Sequence, residues 1–264
     1  MLQIKNLQKV FNKNTVNEKI AFKNFSINID EGDFVTIIGS NGAGKSTLLN
    51  LISGSEPLES GSITLDKREL SKLPEFKRTK FIGRVFQNPS LGTSPSMTIL
   101  ENLSMAYNKG KQFGFSSGID RKNLDFFKEN ISELSLGLEN NLNTKVGLLS
   151  GGQRQALSLL LATISNPKLL LLDEHTAALD PKTSENIVEL TTKTVCKKNI
   201  TTLMVTHNLN HAINIGNRLL MLHQGELILD IRGAEKKNLT IEKLLDLFAK
   251  GNSKDFISDR LALS

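Results

Sequence analysis

Eight consecutive residues, Gly39-Ser40-Asn41-Gly42-Ala43-Gly44-Lys45-Ser46, have the types and spacing of a loop that cradles phosphate. Glycines let a backbone curl until several N–H groups point at one anion, and a helix starting there adds its positive end. Lys45 would neutralise the β- and γ-phosphates of a nucleotide, the Ser46 hydroxyl would ligate Mg²⁺, and Thr47 continues the binding segment. The loop follows an apolar, β-branched run at 34–38 and precedes helically spaced apolar residues at 45–52. A strand, a glycine loop and a helix in that order are the context such a loop needs.

A second set of groups lies downstream. Leu169-Leu170-Leu171-Leu172-Asp173-Glu174 is an apolar strand ending in two carboxylates. An isolated Asp-Glu at a strand end is ordinarily just solvated. With a phosphate loop upstream, Asp173 falls where a second magnesium group belongs, and Glu174 where a general base would polarise the attacking water. A third element, Leu149-Ser150-Gly151-Gly152-Gln153, stands 23 residues before Asp173 and directly ahead of a helical pattern. As physics alone it is a helix N-terminus preceded by Ser and two Gly, hence a further anion-binding end.

Together the three motifs resemble the ATP-binding cassette family over about residues 2–232. The resemblance implies that Gln87, in Val85-Phe86-Gln87-Asn88-Pro89, senses the γ-phosphate and Mg²⁺, and that His207 contacts the γ-phosphate. It implies a D-loop at Ala178-Leu179-Asp180 and an aromatic, Phe11, stacked on adenine. It also implies a head-to-tail homodimer, in which Ser150, Gly151, Gly152 and Gln153 of one copy cover ATP held by the other. ATP and Mg²⁺ are the implied cofactors. The implied partners are integral-membrane permease subunits and an extracytoplasmic solute-binding protein, with the chain at the cytoplasmic face of the cell membrane. The wording Asp173-Glu174-His175-Thr176, with Thr15-Val16-Asn17 and Leu91-Gly92-Thr93, is similar to ATPases of amino-acid uptake systems proposed for tyrosine or tryptophan. One departure is His175, where the family usually has Pro; a proline there would only stiffen the turn, so His is expected to be tolerated without a catalytic role.

The elements that must position these groups follow from periodicity. Leu2, Ile4 and Leu7, then Phe25, Ile27 and Ile29, alternate as half-buried strands. Strands are expected at 34–38, 62–65, 169–172 and 201–206, and a closing hairpin at 219–222 and 226–231. Helical spacing appears at 99–107, 122–134, 152–164 and 182–196. Ile241, Leu244, Leu245 and Phe248 mark one amphipathic helix, read as a packed cap because its charges are mixed in sign. Buried all-apolar strands alternating with helices argue for an α/β fold. The resemblance specifies the phosphate-loop ATPase form: a mixed sheet core, an antiparallel β-subdomain and an inserted helical subdomain. A single ATPase domain is expected over 1–235, with its core at about 1–87 and 166–235 and the helical subdomain at about 88–165. A C-terminal helix and tail occupy 236–264.

Composition narrows the class. One cysteine, Cys196, in 264 residues excludes a disulfide framework and cysteine-rich metal sites. Thirteen Phe with one Tyr and no Trp argue against a nucleic-acid reader built on varied stacking aromatics, so no nucleic-acid partner is expected. No apolar run approaches the ~20 residues that span a bilayer. The alternative, a non-transport cassette ATPase of DNA repair or translation, would need a long coiled coil, zinc modules or a second cassette. Only 104 residues separate Lys45 from Ser150, which leaves no room for such an insertion. The formal charge is +6, and residues 66–84 hold seven Lys or Arg against three acids. That excess is expected beside an anionic membrane surface.

Overall fold

A computed structural model describes residues 1–111 and 118–251, with backbone alone for 248–251. The expected polar tail and the Phe248 side chain lie outside the described residues. The chain opens with β1 (Leu2–Phe11), β2 (Lys19–Ile29), β3 (Phe34–Gly39), α1 (Lys45–Ser53), β4 (Ser60–Leu65), β5 (Arg68–Glu69) and α2 (Glu75–Arg78). Next come β6 (Ile82–Val85), α3 (Ile99–Tyr107), α4 (Leu124–Ser132), α5 (Gly151–Thr163), β7 (Leu169–Asp173) and α6 (Pro181–Lys198). It closes with β8 (Thr201–Val205), α7 (Leu209–Asn214), β9 (Arg218–His223), β10 (Glu226–Arg232), α8 (Gly233–Lys237) and α9 (Ile241–Gly251). These elements fall into two compact units, one joining Met1–Arg78 to the chain from Thr201 onward, the other Thr79–Ile200.

In the first unit the alternating residues of β1 and β2 face one another, with Leu2 opposite Ile29, Ile4 opposite Ile27 and Leu7 opposite Phe25. They form one side of an antiparallel sheet in the order β2-β1-β4-β5. β3 is buried at all six positions, which is why it reads as an unbroken apolar run. It runs parallel to both β8 and β9, while β10 returns antiparallel to β9, so this sheet is mixed. The C-terminal cap forms as expected. Leu244 of α9 is fully buried in one cluster with Leu239, Ile231 and Met221. On α8, the buried Lys236 ammonium donates to Thr36 Oγ1 of β3 (3.2 Å), to the Arg218 carbonyl (3.2 Å) and to the Ile215 carbonyl, bracing the strand that ends in the phosphate loop.

In the second unit β6 and β7 are parallel, Val85 pairing with Leu172. Ile99, Leu103, Phe127, Ile131, Leu157, Leu160 and Leu161 build the helical core. α3 starts at a capping box, Thr98 accepting from the Glu101 N–H and Glu101 accepting from the Thr98 N–H. α4 starts two residues later than the spacing predicts. Lys122 and Asn123 instead belong to a tight 3₁₀ turn, where Asn123 Nδ2 donates to Asp120 Oδ2 at 2.9 Å.

The expectation for the basic stretch needs correction. Arg78 is buried, and its guanidinium donates to the carbonyls of Leu51 (2.8 Å), Ile52 (3.0 Å) and Leu73 (2.8 Å), closing the C-terminal end of α1. Arg84 is half-buried in an ion pair with Asp173. Internal carbonyls and a carboxylate thus take two of the seven cations, while Lys67, Arg68, Lys72, Lys77 and Lys80 are exposed.

Candidate nucleotide site

The first unit carries the phosphate loop, and its backbone specifies it. At Gly39 φ is +150°, and a Cβ there would stand 2.1 Å from the Leu222 carbonyl oxygen on neighbouring β9, so only glycine fits. Beyond it, Ala43 N–H closes a turn on the Ser40 carbonyl at 3.1 Å, and Gly225 N–H holds the Ala43 carbonyl at 3.0 Å. Asn41, Gly42 and Ser46 are exposed, and Ser40, Gly44 and Thr47 are half-buried. Lys45 folds back over the loop. Its ammonium donates to the Gly39 carbonyl at 2.7 Å and the Ser40 carbonyl at 2.9 Å. Helix α1 has Gly44 at its N-cap and no acidic residue in its first turn, so its positive end faces the loop without a countercharge from its own side chains.

His207 emerges at the same end of the same sheet. β8 lies beside β3 with Val205 paired to Ile37, and Thr206 N–H donates to the Ile37 carbonyl at 3.1 Å. The turn holding His207 is fixed from both sides: Asn208 N–H donates to Thr206 Oγ1 at 3.1 Å, and Asn208 Oδ1 caps α7 through the His211 N–H. Phe11 ends β1, half-buried, with the Lys9 ammonium 4.7 Å from its ring centroid. That ammonium is itself held by Glu56 Oε2 at 3.0 Å and the Pro57 carbonyl at 3.2 Å, which gives one ring face a fixed cation.

The second unit carries the carboxylates. Because β6 and β7 are parallel neighbours, Gln87 and the pair Asp173–Glu174 leave the sheet at the same end. Gln87 is exposed, and both acids are half-buried. Glu174 has φ +47°, a left-handed conformation that costs a non-glycine residue energy and is locked here by Ala177 N–H donating to its carbonyl at 3.0 Å. His175 is buried in this turn, with Nε2 3.1 Å from Thr191 Oγ1. Thr191 gives its one hydroxyl proton to the Ile187 carbonyl at 2.7 Å, so the His175 Nε2–H is the donor. Its position is that of a packed core group.

Ser150 and Gln153 form a complete capping box at the start of α5, Ser150 Oγ accepting from Gln153 N–H at 3.2 Å and Gln153 Oε1 accepting from Ser150 N–H at 3.1 Å. Ser150 and Gly151 are exposed. The two glycines differ: a Cβ at Gly152 would meet Thr183 Cγ2 at 2.5 Å, whereas one at Gly151 would meet only Leu179 Cδ2 at an ordinary 3.6 Å. Asp180 caps α6, Oδ1 accepting from Thr183 N–H at 3.0 Å, and the hydrogen bonds from Thr183 hold its carboxyl below the usual aspartate range. Sequence reasoning missed Arg84, whose Nη2 is 3.3 Å from Asp173 Oδ2. The signal was a charged residue inside Ile82-Gly83-Arg84-Val85, three positions before Gln87.

Residues 22–177 match the family model described as ABC transporter. The chain is 56% identical over 250 residues to a tyrosine transport ATP-binding protein of Clostridioides difficile, covering 94% of this chain and 98% of that protein. It is 35% identical over 246 residues to the methionine import ATP-binding protein MetN of Campylobacter jejuni, covering 86% and 69%. Among solved structures, the dimeric post-hydrolysis state of the ATP-binding cassette MJ0796 bound to ADP and Pi aligns with a TM-score of 0.74 at 33% identity, over 88% of this chain and 98% of that one. MJ0796 is from Methanocaldococcus jannaschii.

Proposed function

The chain belongs to the ABC transporter family as an ATP-hydrolysing subunit, and from that premise we propose that it powers import of a small solute, such as an amino acid, through a separate permease. The loop 39–46 supports this reading: Gly39, Lys45 and the start of α1, whose first turn holds no acidic residue, are suited to cradle phosphate. The name of the 56% identical relative supports an amino-acid cargo.

Residues 39–47 bind the phosphates, with Lys45 set to exchange its loop carbonyls for phosphate oxygens, and Phe11 stacks on the adenine. Ser46, Gln87 and Asp173 offer hard oxygen donors with a single carboxylate, which suits Mg²⁺ bound largely through substrate phosphates. Mg²⁺, when bound, neutralises charge building on the phosphates. Glu174 accepts the proton of the attacking water, and His207 hydrogen-bonds the γ-phosphate. Ser150, Gly151, Gly152, Gln153 and Asp180 serve the nucleotide of a second copy, so hydrolysis requires a dimer. ATP binding closes that dimer and hydrolysis reopens it, with the helical segment 88–165 passing the motion on.

Among the described residues no helix is long and apolar enough to cross a membrane. In this reading the chain meets its permease as a peripheral subunit at the cytoplasmic face, and a solute-binding protein delivers cargo from the other side; the transport ATP-binding relatives support it. Affinity capture of the tagged chain from its own membranes tests this. A multi-span membrane protein should co-elute in stoichiometric amount; recovery of the chain alone, or with DNA or ribosomes, contradicts the transport reading.

A further inference from the structure

Arg84 is the one charged position in the β6 sequence Ile82-Gly83-Arg84-Val85. Its Nη2 lies 3.3 Å from Asp173 Oδ2, and the two side chains are only 12% and 14% exposed. An exposed ion pair would contribute little, but this one is shielded from water. The guanidinium also lies over the Phe86 ring, 4.5 Å from its centroid, which restricts its rotation. Phe86 is anchored in turn, since its carbonyl accepts from Nε2 of the buried Gln155 on α5 at 3.3 Å. Gln87 follows Phe86 directly.

We propose that Arg84 is a positioning residue for the magnesium-binding carboxylate: it holds Oδ2 of Asp173 and thereby presents Oδ1 to the metal, while its stacking on Phe86 steadies the strand end that leads to Gln87. This rests on the reading of Asp173 as a metal ligand. A cation beside a metal ligand also repels the metal, so the sign of the effect is the discriminating quantity. Outer partners that orient a ligand typically change metal affinity by about 10–100-fold. Positioning dominates because the guanidinium charge is delocalised, already paired with the carboxylate, and set against the several negative charges of the nucleotide.

The test is Mn²⁺ titration by electron paramagnetic resonance, on the full chain saturated with a non-hydrolysable ATP analogue. Arg84→Met should weaken Mn²⁺ binding about 10-fold. It should leave metal-free affinity for the analogue unchanged, which also shows that the variant is folded. Arg84→Gln, a milder disturbance, should show the same loss, and Arg84→Lys should recover most of it. Unchanged or tighter Mn²⁺ binding in Arg84→Met and Arg84→Gln overturns the proposal. Asp173→Asn separates the two readings. If it binds Mn²⁺ as the wild type does, Asp173 is not the ligand; if it loses the metal while the Arg84 variants keep it, only the role of Arg84 falls.

Discussion

The two units hold their functional groups by different means. In the unit containing Met1–Arg78 the backbone shapes the loop that starts at Gly39: Gly39 fits because nothing larger clears the Leu222 carbonyl, and Lys45 is tied to the loop's own carbonyls. In the unit Thr79–Ile200 side-chain bonds hold several of the groups, each such bond being separate from the proposed role. Ser150 and Gln153 cap α5, Asp180 caps α6, and Asp173 pairs with Arg84. Shape cannot be separated from function in the first unit, whereas in the second a well-chosen substitution can spare one and remove the other.

The largest expected effect is on the loop. Gly39→Ala places a methyl 2.1 Å from a backbone oxygen at positive φ, and should cost about 3 kcal/mol or more, read as a lowered urea midpoint, with loss of nucleotide binding. A cost under about 1 kcal/mol would show an adaptable loop and erase the contrast. Gly152→Ala comes next: its methyl meets Thr183 Cγ2 at 2.5 Å, a side-chain atom that can shift, and the cost should be about 1–3 kcal/mol. Gly151→Ala has 3.6 Å of clearance and should keep stability within about 0.5 kcal/mol of wild type. Its ATP turnover should nonetheless fall at least about 10-fold if, as proposed, Gly151 faces the nucleotide of a second copy. Full turnover there would remove Gly151 from the proposed shared site. The smallest effect is expected from Thr191→Val, which takes away the acceptor of His175 and should cost about 1 kcal/mol of stability with turnover unchanged. A collapse of turnover would give His175 more than a packing role.

Much of this was legible in the sequence because the relevant physics is local. The apolar β-branched residues 34–38 read as a strand buried on both faces, and Leu2 and Ile4 alternate because one face of β1 is covered, Leu7 returning to that face through a register shift at Asn6, whose φ is +50°. The start of α5 was legible from Ser150 and Gln153, whose spacing is that of the capping box they form. The α/β class and the ATPase family followed from the order of the motifs. What stayed hidden was long-range pairing of charges. Arg78 and Arg84 look like members of a surface run, yet one closes α1 from a distance of 26 residues in sequence and the other pairs with Asp173, 89 residues away. Nor does spacing distinguish Gly151 from Gly152; only the approach of Thr183 does.

Glu174→Gln tests the ATPase assignment most directly, since it removes the proposed base while preserving size and hydrogen bonding. Phosphate release from ATP should fall at least about 100-fold, while ATP stays bound and the chain elutes as a stable dimer in ATP and Mg²⁺. Phosphate release at the wild-type rate, from a chain that remains monomeric with ATP, would contradict both the assigned base and the shared site.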